Sequence, residues 1–281
     1  MRTFVSAAQL HPQIARWRRE GQRVGFVPTM GNLHAGHHSL LAIAREHADI
    51  VVASVFVNPT QFGPNEDFAR YPRTPAEDAA GLAAHGCDAL FLPAVEDLYP
   101  YGAARSVKIS VPDLPEVLEG AIRPGHFDGV ATVVAKLFNL VQPQVAVFGQ
   151  KDYQQLLVIR RLVRDLGYPI EVVGAPIVRE ANGLAMSSRN QYLDADQRAR
   201  AGAIHASLQR MRAALLRGDP VAKAEAAART DLEAAGLVPD YAVVRRAEDL
   251  GEVVGEQGER VALIAARMGN TRLIDNLLID A

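Results

Sequence analysis

Val27-Pro28-Thr29-Met30-Gly31-Asn32-Leu33-His34-Ala35-Gly36-His37-His38-Ser39-Leu40 is the stretch that decides how the chain reads. The short apolar run leading into it, Val24-Gly25-Phe26-Val27, predicts a buried strand. Pro28 and Gly31 break that strand. His34 and His37 follow, with Gly36 between them, and Leu40, Leu41, Ile43 and Ala44 then mark the apolar side of a helix running to about His47. Strand, turn, paired histidines and helix N-terminus form an order that can hold a polyphosphate. The unpaired N–H groups and the dipole at a helix start both favour negative charge.

Outward from this stretch, strand and helix patterns alternate. Residues 7–20 read as a helix with a basic exposed side. Ile50 to Val57 is a continuous valine-rich run without polar alternation, which suits a central parallel strand covered on both faces. It ends in a turn-rich loop, Asn58-Pro59-Thr60-Gln61-Phe62-Gly63-Pro64-Asn65. A helix is predicted at 75–85 and a strand at Ala89 to Leu92. Residues 93–128 give no clear period. Then come a helix at Val130 to Val141, a strand at Val145 to Phe148, a helix from about Tyr153 through Arg164, and a strand at Ile170 to Val173. This alternation predicts an α/β fold with an open parallel sheet and right-handed crossovers. Ligands in such sheets bind at the carboxyl ends of the strands, and His34, Asn58, Gln61, Gln150 and Lys151 all follow such ends.

Composition shifts near residue 180. Residues 195–235 are rich in Ala, Arg and Glu and read as two helices separated near Gly218-Asp219-Pro220. Strands are predicted at Tyr241 to Val244, Val261 to Ala266 and, after the turn Met268-Gly269-Asn270, Leu273 to Ile279. The expected organisation is a domain over 1–182 and a smaller C-terminal α+β domain over 183–281.

A chain of 281 residues with 49% apolar residues can bury a substantial core. A formal net charge of -2 gives no reason to expect a nucleic-acid or membrane partner. The N-terminus lacks a signal-peptide pattern, and the longest apolar stretch is too short to cross a bilayer. Cys87 is the one cysteine, so neither an intramolecular disulfide nor a thiolate metal cluster is available. Its neighbours Leu90 and Phe91 make it read as a core thiol. The expected setting is cytoplasmic.

The chain has no G-x-x-x-x-G-K-S/T loop, and no G-x-G-x-x-G follows a strand, so a nucleotide site needs another design. His34 and His37 have three readings: ordinary helix-start side chains, donors to phosphate oxygens, or a zinc pair, for which Asp/Glu or Cys ligands at suitable spacing are not evident nearby. Their place after a Gly-interrupted turn at a strand end favours the second. A second cluster is Phe148-Gly149-Gln150-Lys151-Asp152-Tyr153-Gln154-Gln155. The Lys151 ammonium there could neutralise phosphate charge, or could equally be a surface group beside a helix cap at Asp152. A third is Met186-Ser187-Ser188-Arg189-Asn190, preceded by Arg179 to Leu184, where two hydroxyls and a guanidinium could close on phosphates. By itself that loop reads as a capped entry to a helix. Asn58 offers neutral donors and acceptors, and Gln61 with Gln155 could bracket a small polar acid. Glu77 and Asp78 are the acidic pair best placed for Mg2+, which needs only one or two carboxylates, though each reads at least as well as a solvated surface group. Arg123-Pro124-Gly125-His126-Phe127-Asp128-Gly129 is a basic glycine-rich loop that could cover a site or merely connect elements.

Taken in order, the histidine stretch from Pro28 to His37, Asn58 to Gly63, Tyr71-Pro72-Arg73, Arg123 to Val130, Phe148 to Gln155 and Met186 to Asn190 closely resemble the pantothenate synthetase (pantoate–β-alanine ligase) family. The resemblance spans nearly the whole chain. It implies a Rossmann-like sheet of the nucleotidyltransferase type, related to class I aminoacyl-tRNA synthetases. The implied activity is the ATP-dependent condensation of (R)-pantoate with β-alanine to pantothenate, through pantoyl adenylate, with release of pyrophosphate and AMP. It also implies Mg2+ and a homodimer.

By the family pattern, His34, His37, Lys151, Ser187, Ser188 and Arg189 handle the ATP phosphates. Met30, Gly149, Asp152, Val178 and Met186 fall on the nucleotide side. Gln61 and Gln155 take pantoate, Asn58 belongs to the same pocket, and Asp78 is the implied metal ligand. Arg123 and His126 belong to a loop over the site, and the C-terminal domain is implied to act as a lid. Asn32, Ala35 and His38 stand where alanine, glutamate and leucine are usual. None of the three removes a group assigned to chemistry.

Overall fold

The computed structural model describes residues 1–63, 68, 71–254 and 258–279. Pro64 and Asn65, the end of the expected turn-rich loop, lie outside them. The chain forms two compact units, one of residues 1–149 and 154–175, the other of 150–153 and 176–281. The sequence placed the boundary after residue 182; the units divide after Ala175. The segment that follows bonds within the second unit, through a bridge between Arg179 and Ala185 and an ion pair from Arg179 to Asp275.

The first unit runs β1 (Arg2–Phe4), α1 (Ala7–Arg19), β2 (Val24–Thr29), α2 (Ala35–His47), β3 (Ile50–Val55), α3 (Pro75–Ala84), β4 (Ala89–Phe91), α4 (Val95–Leu98), α5 (Leu118–Ile122), α6 (His126–Val141), β5 (Val145–Gly149), α7 (Tyr153–Asp165) and β6 (Glu171–Ala175). Its six strands are ordered β1-β4-β3-β2-β5-β6, and every pair is parallel. From β2 the chain builds outward through β3 and β4, then returns to the other side of β2 with β5 and β6. The border between β2 and β5 is thus the point where strand order reverses, the usual place for a ligand in an open α/β sheet.

Successive strand residues alternate between two cores, as the period of an extended chain requires. Phe26, Val52 and Ala146 pack with Leu10, Phe138 and Ile159, whereas Val27, Val51 and Val147 pack with Leu40, Leu41 and Leu82. Helices on both faces explain why β3 shows no polar alternation. A Cβ on Gly25 would sit 3.0 Å from the Ala48 Cβ and 3.3 Å from the Ala44 carbonyl oxygen, so α2 lies close against β2 here. Cys87 is buried, and burial pushes its thiol up to about 11, in keeping with a core thiol.

The second unit contains α8 (Ala195–Ala201), α9 (Ala203–Leu216), α10 (Val221–Ala234), β7 (Val238–Arg246), β8 (Arg260–Met268) and β9 (Thr271–Ile279). The strands form an antiparallel sheet ordered β7-β8-β9. Leu208, Leu232, Val244 and Ile264 belong to its core.

Local details depart from the sequence reading. β1 is a three-residue edge strand too short to show a pattern. α6 begins at His126 rather than Val130, after Gly125 in the left-handed region (φ 78°). The first predicted helix of 195–235 is split at Gly202, where a Cβ would lie 2.6 Å from the Asn182 carbonyl oxygen. β7 starts at Val238 and accommodates Pro239 through a bulge between Pro239 and Tyr241. Among the described residues no helix is long and apolar enough to cross a membrane.

Candidate active site

In the first unit the residues expected to act follow the ends of β2, β3 and β5. Gly31 (φ 83°) and Asn32 (φ 52°) put two consecutive residues in the left-handed region after β2. This turns the N–H groups of Asn32 and Leu33 onto the Asp78 carboxylate, at 3.0 and 2.8 Å. Successive N–H groups so arranged make an anion-binding concavity, and here a carboxylate of the chain fills it. Asparagine tolerates the left-handed region well, which explains why Asn32 is accepted in this loop.

Asp78 does not fit the expected metal ligand. It is 3% exposed, and each of its oxygens accepts a backbone N–H. Glu77, beside it in α3, is exposed. Among the described residues no group of three or more His, Cys, Asp or Glu could hold a metal ion. The geometry makes Asp78 the residue that shapes the loop carrying Met30 and His34.

His34 is the N-cap of α2, and its Nδ1 accepts the N–H of Gly36 at 3.1 Å. His37 Nδ1 accepts the N–H of His34 at 3.3 Å. A ring nitrogen that accepts from a backbone N–H carries no proton, so both neutral rings hold theirs on Nε2. The rings lie 4.1 Å apart. Capping and proton-bearing therefore fall to different nitrogens: Nδ1 serves the backbone at the helix start, and Nε2 carries the proton. His38 takes no part in this pair. It stacks on His85 at 4.1 Å with a 15° interplanar angle, and burial lowers its pKa.

Asn58 is 1% exposed and its amide is fully engaged. Nδ2 donates to Gln61 Oε1 and to the Gly129 carbonyl, both at 3.1 Å. Oδ1 accepts the Tyr99 hydroxyl at 2.7 Å and the Thr60 N–H at 3.3 Å. A carbonyl only accepts and an N–H only donates, so the Asn58 amide has one possible orientation. That fixes Gln61 in turn. Its Oε1 faces Asn58, and its Nε2, 2.9 Å from Met30 Sδ, is left as a donor. Asn58 orients Gln61. His126 supports the same turn. Arg123 can only donate to its Nε2 (2.9 Å), so Nδ1–H donates to the Gln61 carbonyl at 2.8 Å.

Gly129 lets α6 approach this turn. A Cβ there would lie 2.4 Å from the Thr60 carbonyl oxygen and 2.7 Å from the Gln61 nitrogen. Gly129→Ala is expected to destabilise the protein by about 1–3 kcal/mol through overpacking, and to raise KM for the acid substrate by displacing Gln61. Denaturant melts and steady-state kinetics check both effects.

Gln155 is half-buried in the first turn of α7. Its neighbour Gln154 is structural: Nε2 donates to the carbonyls of Leu114 (2.5 Å) and Val117 (2.9 Å), and Oε1 accepts the Glu119 N–H at 3.1 Å. Gly149 ends β5 without a positive φ, and a Cβ there would meet nothing within 4 Å. Neither backbone conformation nor packing demands glycine there. Gly149→Ala is expected to raise KM for ATP severalfold while leaving the melting temperature unchanged. A lower melting temperature with unaltered ATP kinetics would contradict this.

In the second unit Lys151 and Asp152 occupy a turn. Lys151 is mostly buried, and its Nζ lies 3.9 Å from Asp152 Oδ1, a loose ion pair. Ser187 caps the short 3-10 turn Ser188–Tyr192, its Oγ accepting the Arg189 N–H at 3.2 Å. Arg189 is exposed, while Ser187 and Ser188 are half-buried. The Met186 N–H donates to the Val178 carbonyl at 2.9 Å. Behind this loop Asn190 donates to Glu180 at 2.7 Å, and Arg198 pairs with both Glu180 oxygens at 2.7 and 2.8 Å. The Arg198 hydrogen bond, the largest influence, holds the Glu180 carboxyl below its usual range. The loop that expectation assigned to phosphates is therefore braced by an ion-pair network.

Sequence reasoning missed Tyr99, Thr60, Gln154 and Asn276. For Asn276 a signal existed: Asp275-Asn276 interrupts the otherwise apolar run Leu273 to Ile279.

A six-stranded parallel sheet whose strand order reverses between β2 and β5, with the histidine-capped start of α2 following β2, defines a Rossmann-like α/β fold of the ligand-binding type. The family model for pantoate-beta-alanine ligase matches residues 2–278. Pantothenate synthetase from Stenotrophomonas maltophilia (strain K279a) is 60% identical over 277 residues, covering 99% of each chain. That from Xanthomonas axonopodis pv. citri is 60% identical over 278 residues, again covering 99% of each. The crystal structure of pantothenate synthetase from Thermus thermophilus superposes with a TM-score of 0.93 at 48% identity over the whole of both chains. That of pantoate-beta-alanine ligase from Francisella tularensis, complexed with beta-gamma ATP and beta-alanine, gives 0.80 at 33% identity, covering 100% of this chain and 98% of the other. The chain belongs to the pantoate–β-alanine ligase family. It is an ATP-dependent ligase that joins pantoate to β-alanine to form pantothenate.

Proposed function

We propose that the ligation runs through an acyl adenylate. The pantoate carboxylate attacks the α-phosphorus of ATP and pyrophosphate leaves. The β-alanine amine then attacks the acyl carbon, the acyl C–O bond breaks, and AMP departs with that oxygen. The adenylate is already an activated acyl group, so positioning, charge neutralisation and exclusion of water supply most of the catalysis.

The observation that carries this reading is the pair of backbone hydrogen bonds to His34 Nδ1 and His37 Nδ1 at the start of α2. Both Nδ1 atoms accept backbone N–H groups there, which assigns the proton of each ring to Nε2. Lys151, Ser187, Ser188 and Arg189 contribute further donors and positive charge to the phosphates. Met30, Gly149, Asp152, Val178 and Met186 fall on the nucleotide side. Gln61, held as a donor by Asn58, reads an acceptor oxygen of pantoate, and Gln155 reads the other end. Mg2+ enters as the counter-ion of the ATP phosphates, and no residue of the chain is assigned to it. The family resemblance supports a cytoplasmic homodimer.

Exchange of labelled pyrophosphate into ATP tests the order of steps. Exchange that requires pantoate and proceeds without β-alanine is expected. Pantothenate formation with no exchange unless β-alanine is present would contradict a separate adenylation step.

A further inference from the structure

The turn that carries Lys151 hangs on the far end of the chain. Asn276 in β9 is 2% exposed, and its Nδ2 donates to the carbonyls of both Gln150 and Lys151, each at 2.9 Å. The first carbonyl belongs to the peptide before the Lys151 Cα and the second to the peptide after it. One amide nitrogen therefore pins both peptide planes, and with them the direction in which the lysine side chain leaves the backbone. The turn is anchored again at its end, where the Tyr153 hydroxyl donates to the Ala247 carbonyl at 2.9 Å.

Asp275, the preceding residue, pairs with Arg179 at two points, 2.6 and 3.0 Å, and accepts the Asn276 N–H at 2.8 Å. Arg179 opens the segment that bridges back at Ala185 and continues into Met186–Arg189. Two adjacent residues of the last strand thus hold both backbone segments assigned to phosphate in this unit. Asn276 Oδ1 is buried without a hydrogen-bond partner, which costs stability. An apolar residue in this strand would carry no such cost, so the two-carbonyl fork is what the asparagine provides.

We propose that Asn276 is a positioning residue for the ligation, acting through Lys151 by fixing where its ammonium is delivered. The proposal rests on the assignment of Lys151 to the ATP phosphates.

A double-mutant cycle on the full-length protein tests it, read by pantoate-dependent pyrophosphate exchange. Asn276→Asp keeps the shape but sets a carboxylate against two carbonyls. It is expected to lower kcat by roughly 10- to 100-fold, in line with the cost of a misplaced group, with KM for pantoate unchanged. In a Lys151→Ala background the same substitution is expected to cost nothing further. Equal losses in both backgrounds would show a merely structural role and overturn the proposal, as would wild-type kcat in Asn276→Asp. If Lys151→Ala alone keeps wild-type exchange, the lysine assignment itself fails and the proposal falls with it, an outcome distinct from multiplying losses. Asn276→Ala, which buries no new charge, is read the same way should Asn276→Asp not fold.

Discussion

Lys151→Ala is expected to slow pantoate-dependent pyrophosphate release by roughly 10²- to 10³-fold, the usual cost of removing one donor aimed at developing charge. The ammonium is a compact charge paired loosely with Asp152, which stands 3.9 Å away and is half exposed. Such a loose pair contributes little to stability, so the melting temperature of the variant should hardly move. KM for pantoate should also be nearly unchanged, because the lysine is assigned to phosphate and the donor amide of Gln61 to the acid. Stopped-flow or coupled assays of pyrophosphate release at saturating pantoate check the rate, and calorimetry checks the fold. A variant with nearly normal turnover would remove Lys151 from the chemistry.

His34→Asn separates the two jobs of the histidine. Asparagine is among the best N-cap residues, so the α2 start keeps a side-chain acceptor for a backbone N–H and stability should change by only a few tenths of a kcal/mol. The Nε2–H donor is lost. Turnover is expected to fall about 100-fold, with KM for ATP raised. His34→Ala removes both functions and should additionally cost about 1 kcal/mol of stability through the lost cap. Equal activity in His34→Asn and the wild type, at unchanged stability, would reduce His34 to a cap. Comparing the two variants by denaturant melts and ATP kinetics separates the contributions.

The fold was legible where elements are long and periodic. The valine-rich run of β3 announced a strand covered on both faces, and the apolar spacing after His37 announced α2. Elements of three to five residues, such as β1 and α5, are too short to carry a period, and the tertiary partners that hold them are not local. The site was legible to the level of residue type. Histidines after a Gly-interrupted turn, a lysine after a strand and a late Ser-Ser-Arg loop all pointed to phosphate.

The partner of each polar group was not legible. Asp78 looked like a hard-cation ligand because sequence shows a carboxylate but not the two N–H groups 45 and 46 residues away that occupy it. That Asn58 orients Gln61 was not legible because its engagement by Tyr99 and Gly129 is set by packing across the unit. Asn276 was passed over because its function depends on carbonyls more than a hundred residues away in sequence.

The most direct measurement of the adenylate route uses pantoate labelled with 18O in its carboxylate. The reaction with ATP and β-alanine is run to completion and its nucleotide and phosphate products are weighed by mass spectrometry. Attack of the carboxylate on the α-phosphorus predicts AMP carrying one 18O atom, with unlabelled pyrophosphate. ADP, with the label in inorganic phosphate, would mean attack at the γ-phosphorus and an acyl phosphate intermediate, and would contradict the account.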